Sequence, residues 1–424
     1  MNGFLIVMES YLLKNINLPD LKLLKTALHF GAYKGFLKCL DSYRPKDVVD
    51  EIKASGLRGR GGGWYSTGEK WDSLKKVKDK PAYFCCNCSE GEPGSFKDRL
   101  IIEKNPHLLL EGVAIASYAL GVNTAYICVR GEFAEATEIL KKSLADAKTE
   151  NLLGKNICDK GYDLQIIIFR TGGNYICGEE TALLNSLEGW PATPREKPPY
   201  PAEAGLYGCP TIVNNVETVS NIPYIINNGV DKFRAIGCRE CSGNMLFSIS
   251  GHVKKPGVYE IPIGSFTLRE IIDRFAGGPH SGHSIKAVIP GGGSSGFLTE
   301  KELDITMNPD SLKNIKSSLG TGSIIVMGDQ VNIVKMTRKL ARFFREESCK
   351  NECDVCKKGT VQLTFHLLQI EKGEGNSENL NKIHETIEAM KEGGICAMPQ
   401  ISSSVINSAL KRFPHEFNNR IDNC

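Results

Sequence analysis

Residues 163–170 read Asp163-Leu-Gln-Ile-Ile-Ile-Phe-Arg170, and residues 171–181 continue Thr171-Gly-Gly-Asn-Tyr-Ile-Cys-Gly-Glu-Glu-Thr181. The first stretch is short, apolar and β-branched, which predicts a buried strand. The second turns on glycines and places Glu179 and Glu180 at a helix start, where negative charge interacts well with the dipole. The same alternation occurs twice upstream. Ala82 to Asn87 predicts a strand, followed by a helix from about Arg99 to Leu120. Thr124 to Arg130 predicts another strand, and the apolar period from Phe133 to Lys148 predicts a helix. Strands alternating with helices imply a parallel sheet with helices packed on it. Such sheets bind ligands at the carboxyl ends of their strands. The loop Asn87-Cys-Ser-Glu-Gly-Glu-Pro-Gly-Ser-Phe-Lys-Asp-Arg99 and the loop 171–181 both begin where a strand ends.

Each of these loops carries two carboxylates, Glu90 with Glu92 and Glu179 with Glu180. Helix capping accounts for one Glu in each. The other carboxylate is available for a ligand's hydroxyl or carboxamide. Upstream, Gly56 to Trp71 is glycine-dense, and Gly59-Arg-Gly-Gly-Gly63 can present consecutive amides to a phosphate. Lys70 can add charge to that phosphate or to a flavin ring. Downstream, Arg195-Glu-Lys-Pro-Pro-Tyr-Pro201 is a stiff extended segment that presents Lys197 and Tyr200. Val213-Asn-Asn-Val-Glu-Thr218 opens a helix with two amides.

The pattern changes after about residue 244. Leu246 to Ser250, Gly257 to Ile261 and Ile285 to Pro290 read as strands, and Thr267-Leu-Arg-Glu270 is a capping box opening a single helix. This predicts a small α+β module over 244–328. From Val331 onward, four apolar helical periods predict a four-helix bundle. Cys349, Cys353 and Cys356 fall on the loop joining the first two helices, and Cys396 falls between the last two. Four thiols so arranged can hold an iron–sulfur cube or one tetrahedral zinc ion. Cys238-Arg-Glu-Cys241 is a second close pair, expected to be incidental because no matching pair is near it.

Composition bounds the rest. The chain has 424 residues, 41% hydrophobic and 24% charged, with a net charge of +3. A charge so small does not suggest a nucleic-acid partner. Fifteen cysteines without a recognisable signal peptide suggest a reducing compartment and metal chemistry rather than disulfides. No apolar stretch reaches membrane-spanning length; the richest, Leu108 to Leu120, is broken by Glu111.

Taken in order, Gly-Leu-Arg-Gly-Arg-Gly-Gly, Glu-Gly-Glu-Pro-Gly-Ser-Phe-Lys-Asp-Arg, Tyr-Ile-Cys-Gly-Glu-Glu-Thr-Ala-Leu, Lys-Pro-Pro-Tyr-Pro and Val-Asn-Asn-Val-Glu-Thr resemble one family from about residue 30 to 415. It is the NADH-binding flavoprotein subunit, the F-type chain, of bacterial respiratory complex I, NADH:quinone oxidoreductase. Residues 1–55 read as an N-terminal helical segment, and the resemblance implies a Rossmann-like FMN- and NADH-binding domain (56–240). It further implies a ubiquitin-like β-grasp module (244–328) and a helical bundle (331–424) with a [4Fe-4S] cluster on Cys349, Cys353, Cys356 and Cys396. Gly59, Gly61, Gly62, Lys70, Asn87, Ser89, Glu90, Tyr175, Gly178, Val213, Asn214, Asn215 and Thr218 would line FMN. Glu92, Glu179, Glu180 and Lys197 would hold NADH, with Tyr65 and Tyr200 stacking on its adenine.

The implied activity is hydride transfer from NADH to FMN, then single-electron transfer to the cluster and onward to quinone. Implied partners are the thioredoxin-like [2Fe-2S] subunit and the large iron–sulfur subunit of the peripheral arm, on the cytoplasmic side of the inner membrane without membrane insertion. Flavoprotein subunits of NAD-linked hydrogenases or formate dehydrogenases are the alternative; they commonly carry extra cluster domains, for which this chain is expected to have no room. A non-catalytic, zinc-binding assembly subunit is a further alternative. Three departures from the family pattern stand out. Gly63-Trp64 replaces a small Ala-Gly, so Trp64 is expected to crowd the pocket. Ser89 replaces an acid, and one extra residue separates Cys349 from Cys353.

Overall fold

The sheet strands are apolar on both faces, which is what a parallel sheet covered on both sides requires. The structure is a computed structural model and describes residues 9–78, 80–349 and 353–422. Residues 9–23 run mostly as turns. Helices α1 (Leu24–His29), α2 (Lys34–Ser42), α3 (Pro45–Ser55) and α4 (Thr67–Asp72) precede the sheet. Then β1 (Tyr83–Cys88), α5 (Lys97–Lys104), α6 (Pro106–Leu120), β2 (Thr124–Val129), α7 (Ala134–Thr149), β3 (Gln165–Arg170), α8 (Glu180–Leu187), β4 (Thr211–Asn215) and α9 (Val216–Ser220) follow. The four strands pair in the order β3-β2-β1-β4, all parallel. The single helix expected over Arg99 to Leu120 is two helices. Asn105, before Pro106, leaves helical geometry (φ −138°, ψ 62°) and its side chain accepts from Leu108 N–H. A residue before proline is sterically pushed out of the α region.

A second sheet contains β5 (Asn244–Gly251), β6 (Gly257–Pro262), β7 (Ile285–Ile289), β8 (Leu298–Thr299) and β9 (Ser323–Gly328), in the order β8-β7-β9-β5-β6. Only β9 and β5 run parallel. The capping box opens α10 (Leu268–Arg274): Thr267 Oγ1 accepts from Glu270 N–H, and Glu270 accepts from Thr267 N–H. The module holds a second short helix beyond the single one expected, Pro309–Asn314; Asn308 caps it and Pro309 starts it.

The C-terminal helices are α11 (Ile333–Glu347), α12 (Asp354–Lys372), α13 (Ser377–Lys391) and α14 (Met398–Arg412). Each packs on the next, and α14 returns against α11. Their periodic residues, among them Leu340, Phe344, Leu363, Leu367, Ile383, Ile387, Ile406 and Ala409, are buried in one core. Cys349 follows α11, Cys353 and Cys356 sit at the start of α12, and Cys396 precedes α14. The extra residue of the cysteine loop falls in 350–352, outside the described residues.

Trp64 does not crowd the pocket. It adopts positive φ (55°) and packs into the core of the second sheet with Met245, Phe247 and Ile249. Its indole N–H donates to Gly320 C=O at 2.9 Å. Burying a large indole with its one donor satisfied is favourable, so the residue joins two modules.

Candidate functional site

A cavity of about 570 Å³ opens at the carboxyl ends of the parallel strands, where the loops after β1 and β3 meet the second sheet and the start of α14. Its volume is within the usual ~300–1,000 Å³ of a small-molecule or cofactor site. Eleven of the residues singled out from the sequence line it: Gly61, Gly62, Asn87, Ser89, Glu90, Glu92, Tyr175, Gly178, Glu179, Asn215 and Cys396. The glycine loop forms a wall without side chains, and Gly62 is at φ 109°, a conformation that favours glycine.

The carboxylates divide within each loop. Glu90 accepts from the N–H groups of Lys97, Asp98 and Arg99 and from Ser95, so it caps α5. Burial, then the nearby Asp98 charge, pushes its carboxyl up. Glu92 accepts from Tyr175 O–H at 2.6 Å and Ser294 N–H at 2.7 Å, and burial raises it too. Gly292 makes room: a Cβ there would meet Glu92 at 2.6 Å. Glu179 caps α8 through the N–H groups of Thr181 and Ala182, and its other oxygen takes Lys197 Nζ at 2.9 Å. Glu180 lies between Lys70 (2.8 Å) and Lys197 (3.0 Å). Burial pushes Glu180 up, but the two lysines outweigh this and hold it below its ordinary value. Lys197 is correspondingly held up by the two carboxylates against its own burial.

The remaining sequence candidates do not line this cavity. Gly59 N–H closes the glycine loop on Tyr65 C=O. Thr218 Oγ1 accepts from Arg60 N–H, Asn214 Oδ1 accepts from Trp71 Nε1, and Val213 is packed against Leu183 and Leu184. Gly59 and Thr218 thus hold the glycine loop, through Tyr65 and Arg60. Lys70, Glu180 and Lys197 form the ion-pair group next to Glu179. Tyr65 and Tyr200 are 60% and 56% exposed. Of the lining residues, Ser89 turns its hydroxyl to Thr171 Oγ1 at 3.0 Å. Asn87 donates to Gly178 C=O, and Asn215 donates to Asp98.

Residues beyond the sequence candidates also line the cavity: Gly63, Gly91, Ser95, Asp98, Ile176, Ser294, Ser318, Gly320, Thr321, Ala397, Met398 and Ile401. The only available signal for those on the second module is its glycine run at 291–293 and the Gly320-Thr-Gly322 stretch, which mark close backbone approach.

Cys396 joins the cavity to the thiol set. Burial, then Cys353, Cys396 and Cys349, pushes the Cys356 thiol up to about 12. Burial, then Glu179, Cys349 and Cys353, pushes Cys396 up to about 11. Cys356 and Cys396 thus both lie within electrostatic reach of the other thiols of the set. A metal reverses this cost, because thiolate ligation replaces the proton. Among the described residues no three His, Cys, Asp or Glu side chains close around a single-ion point.

Residues 52–224 match the family model described as the Nuo51 FMN-binding domain. Residues 245–326 match the SLBB domain, and residues 335–420 the NADH-ubiquinone oxidoreductase-F iron-sulfur binding region. Together these define a flavin- and iron–sulfur-binding chain of the oxidoreductase class. The chain is 43% identical over 409 residues to the F-type chain 2 of the NADH-quinone oxidoreductase of Rhizobium meliloti (strain 1021), covering 96% of this chain and 97% of that one. It is 41% identical to the F-type chain of the NADH-quinone oxidoreductase of Escherichia coli (strain K12), over 91% of this chain and 87% of that one. A crystal structure of an NAD+-reducing [NiFe]-hydrogenase in the H2-reduced state superposes with a TM-score of 0.85 at 28% identity, covering 98% of this chain and 68% of that one. The chain belongs to the family of F-type chains of NADH-quinone oxidoreductase.

Proposed function

We propose that the cavity is where NADH meets FMN and that electrons leave it through the wall bearing Cys396. The chain is the NADH-oxidising, electron-input subunit of an NADH:quinone oxidoreductase, and its cofactors are FMN, a [4Fe-4S] cluster and NAD(H). The observation that carries the route is Cys396 lining the same cavity as the glycine loop and both carboxylate loops. Bound FMN supplies hydride acceptance, and the cluster supplies single-electron acceptance.

The protein's residues bind and orient. A side-chain-free wall at Gly61 and Gly62, with Asn87, Ser89, Glu90, Tyr175, Gly178 and Asn215 around it, fits a flat ring and its phosphate. Gly59, Lys70, Val213, Asn214 and Thr218 support that wall or its ion pairs. Glu92 and Glu179 reach the cavity as acceptors for NADH, and Glu180 and Lys197 fix Glu179's charge. Tyr65 and Tyr200 present free faces to the adenine. Cys349, Cys353, Cys356 and Cys396 are the cluster ligands. No acid or base is needed for hydride transfer, so geometry dominates rate.

The residue ranges 1–55, 56–240, 244–328 and 331–424 are read as its four segments. Mixed pairing around one parallel contact supports reading the second sheet as a β-grasp module. The closed packing of α11 to α14 supports the four-helix-bundle reading. Membership of a multi-subunit oxidoreductase supports partners that accept the electrons: the thioredoxin-like [2Fe-2S] subunit and the large iron–sulfur subunit, at the cytoplasmic face of the inner membrane. Among the described residues no helix is long and apolar enough to cross a membrane. The hydrogenase likeness keeps a flavoprotein subunit of an NAD-linked hydrogenase as the second reading. An anaerobic absorption spectrum tests the proposal. Flavin bands with a broad cluster shoulder, bleached by NADH, are expected, and acid precipitation should release the flavin to the supernatant. A colourless protein would overturn it.

A further inference from the structure

The hairpin joining the two sheet-bearing modules carries a thiol pair that lies outside the cavity lining and the four-cysteine set. Its strands, Gly237–Cys238 and Cys241–Ser242, are antiparallel, with Cys238 opposite Cys241 across the turn Arg239-Glu240. Directly opposed residues in an antiparallel hydrogen-bonded pair have Cα atoms about 5.5 Å apart. That is inside the roughly 4.4–6.8 Å range a disulfide spans. Cys241 is buried in the second module's core, whereas Cys238 is only half-buried and flanked by exposed Arg239 and Glu240. Cys238 is the more exposed residue of the pair and Cys241 the buried one.

The surroundings favour a thiolate at the more exposed position. Cys241's thiol, with the backbone N–H groups of Cys241 and Glu240, holds Cys238 down to about 6. Arg60 is fully buried near Cys241, and its Nε has no hydrogen-bond partner among the described residues. Its Nη2 donates to Ser242 C=O at 2.7 Å, and its backbone N–H donates to Thr218. The hairpin is thus one hydrogen bond from the glycine loop of the cavity.

We propose that Cys238 and Cys241 are a reversible dithiol–disulfide site for low-molecular-weight disulfides of the glutathione class. Cys238 thiolate attacks one sulfur of the small disulfide, forming a mixed disulfide and releasing one small thiol. Cys241 then loses its proton and attacks the Cys238 sulfur, closing the protein disulfide and releasing the second small thiol. Two protein thiols are oxidised, one small disulfide is reduced to two thiols, and the reverse exchange restores the pair. In such exchange the accessible, lower-pKa thiol reacts first and the buried one resolves.

The full chain with its cofactors, handled anaerobically, is treated with oxidised glutathione, alkylated and digested with trypsin, which cuts between Arg239 and Glu240. The expected product is a reducible link between the peptide containing Cys238 and the one containing Cys241. Cys241→Ser should retain glutathione on Cys238, and Cys238→Ser should leave Cys241 unmodified. Alkylation of Cys238 should rise about tenfold from pH 5 to 7 and then level, while an ordinary thiol near 8.5 rises about a hundredfold and keeps rising. Unlinked peptides, a link from Cys238 to a different cysteine, or equal glutathione uptake by the two variants would overturn the proposal. The wild-type peptide map decides it even where a variant folds poorly.

Discussion

After β1, Glu90 caps α5 and Glu92 is held by two neutral donors, Tyr175 O–H and Ser294 N–H. After β3, Glu179 caps α8 and Glu180 is held by two lysines. Both loops carry a pair of carboxylates of which one caps the following helix; Glu90, Glu92 and Glu179 line the cavity, and Glu180 stands beside it in an ion-pair group. The loops differ in how the second carboxylate's charge is treated. Burial without a cation raises Glu92, and the lysine pair lowers Glu180. A buried carboxylate with neutral partners has no counter-charge to hold it ionised, whereas a doubly paired one is held ionised by its cations.

The largest expected effect separates both loops from the metal region. If the loops bind nucleotide and the helices bind only the cluster, Cys396→Ser removes nearly all cluster iron and its electron paramagnetic resonance signal while flavin stays bound. Cys349→Ser should do the same. Full iron and an unchanged signal in Cys349→Ser alone would remove that residue from the ligand set. Flavin lost together with iron from Cys396→Ser would show that the cavity and the cluster are not separable.

Nucleotide choice probes the second carboxylates. NADH should be strongly preferred over NADPH, because an added 2′-phosphate meets Glu92 and Glu179. The lysines temper this at Glu179 and Glu180, so Lys197→Met should raise the NADH preference in catalytic efficiency for ferricyanide reduction. Glu180→Gln, which frees the lysines, should reduce it, each by about tenfold, or ~1.4 kcal/mol. Equal efficiencies with both cofactors in the wild type would remove the carboxylates from that role.

The capping carboxylates should show a smaller difference, in stability. Glu90→Ala removes three backbone acceptor contacts and should cost about 2 kcal/mol, against about 1 kcal/mol for Glu179→Ala, as caps of this kind do. Thermal melts of the two variants check the order. A larger loss at Glu179 would break the comparison.

Smallest is the pH dependence, where the loops should have opposite signs. Glu92 is raised in the folded chain, so its contribution is present below the ordinary 4.5 and is lost as pH rises through its folded value. Glu180 is lowered, so its contribution is present above 4.5 and is lost as pH falls through its folded value. Glu92→Gln should flatten the first slope and Glu180→Gln the second in denaturant titrations at several pH values. Slopes of the same sign would mean that the lysines do not control Glu180.

Local signals make the parallel sheet legible: strand-length apolar runs alternate with helical periods, and each loop motif starts at a strand end. Pro106 is visible in the sequence, but the break at Asn105 is hidden because the apolar period continues across it. The thiol set is legible from spacing alone. Trp64 misleads because its destination is set by a partner 256 residues away, the Gly320 carbonyl. Lys70 and Lys197 look like ligand contacts, and nothing local announces their pairing with Glu180, because ion pairs between distant segments leave no periodic trace.

The sequence by itself determined the strand–helix alternation of the parallel sheet, the places of the two carboxylate loops and the spacing of the cysteines, since each depends on residues adjacent in the chain or on a helical or strand period. Only the tertiary structure decided that Ser294 and Thr321 of the second module and Met398 of α14 complete the cavity, that Cys396 stands in its wall, and that burial and the lysines treat Glu92 and Glu180 oppositely. The physical reason is range: capping and periodicity act over a few residues, but desolvation and charge pairing depend on whatever distant segments the fold brings alongside.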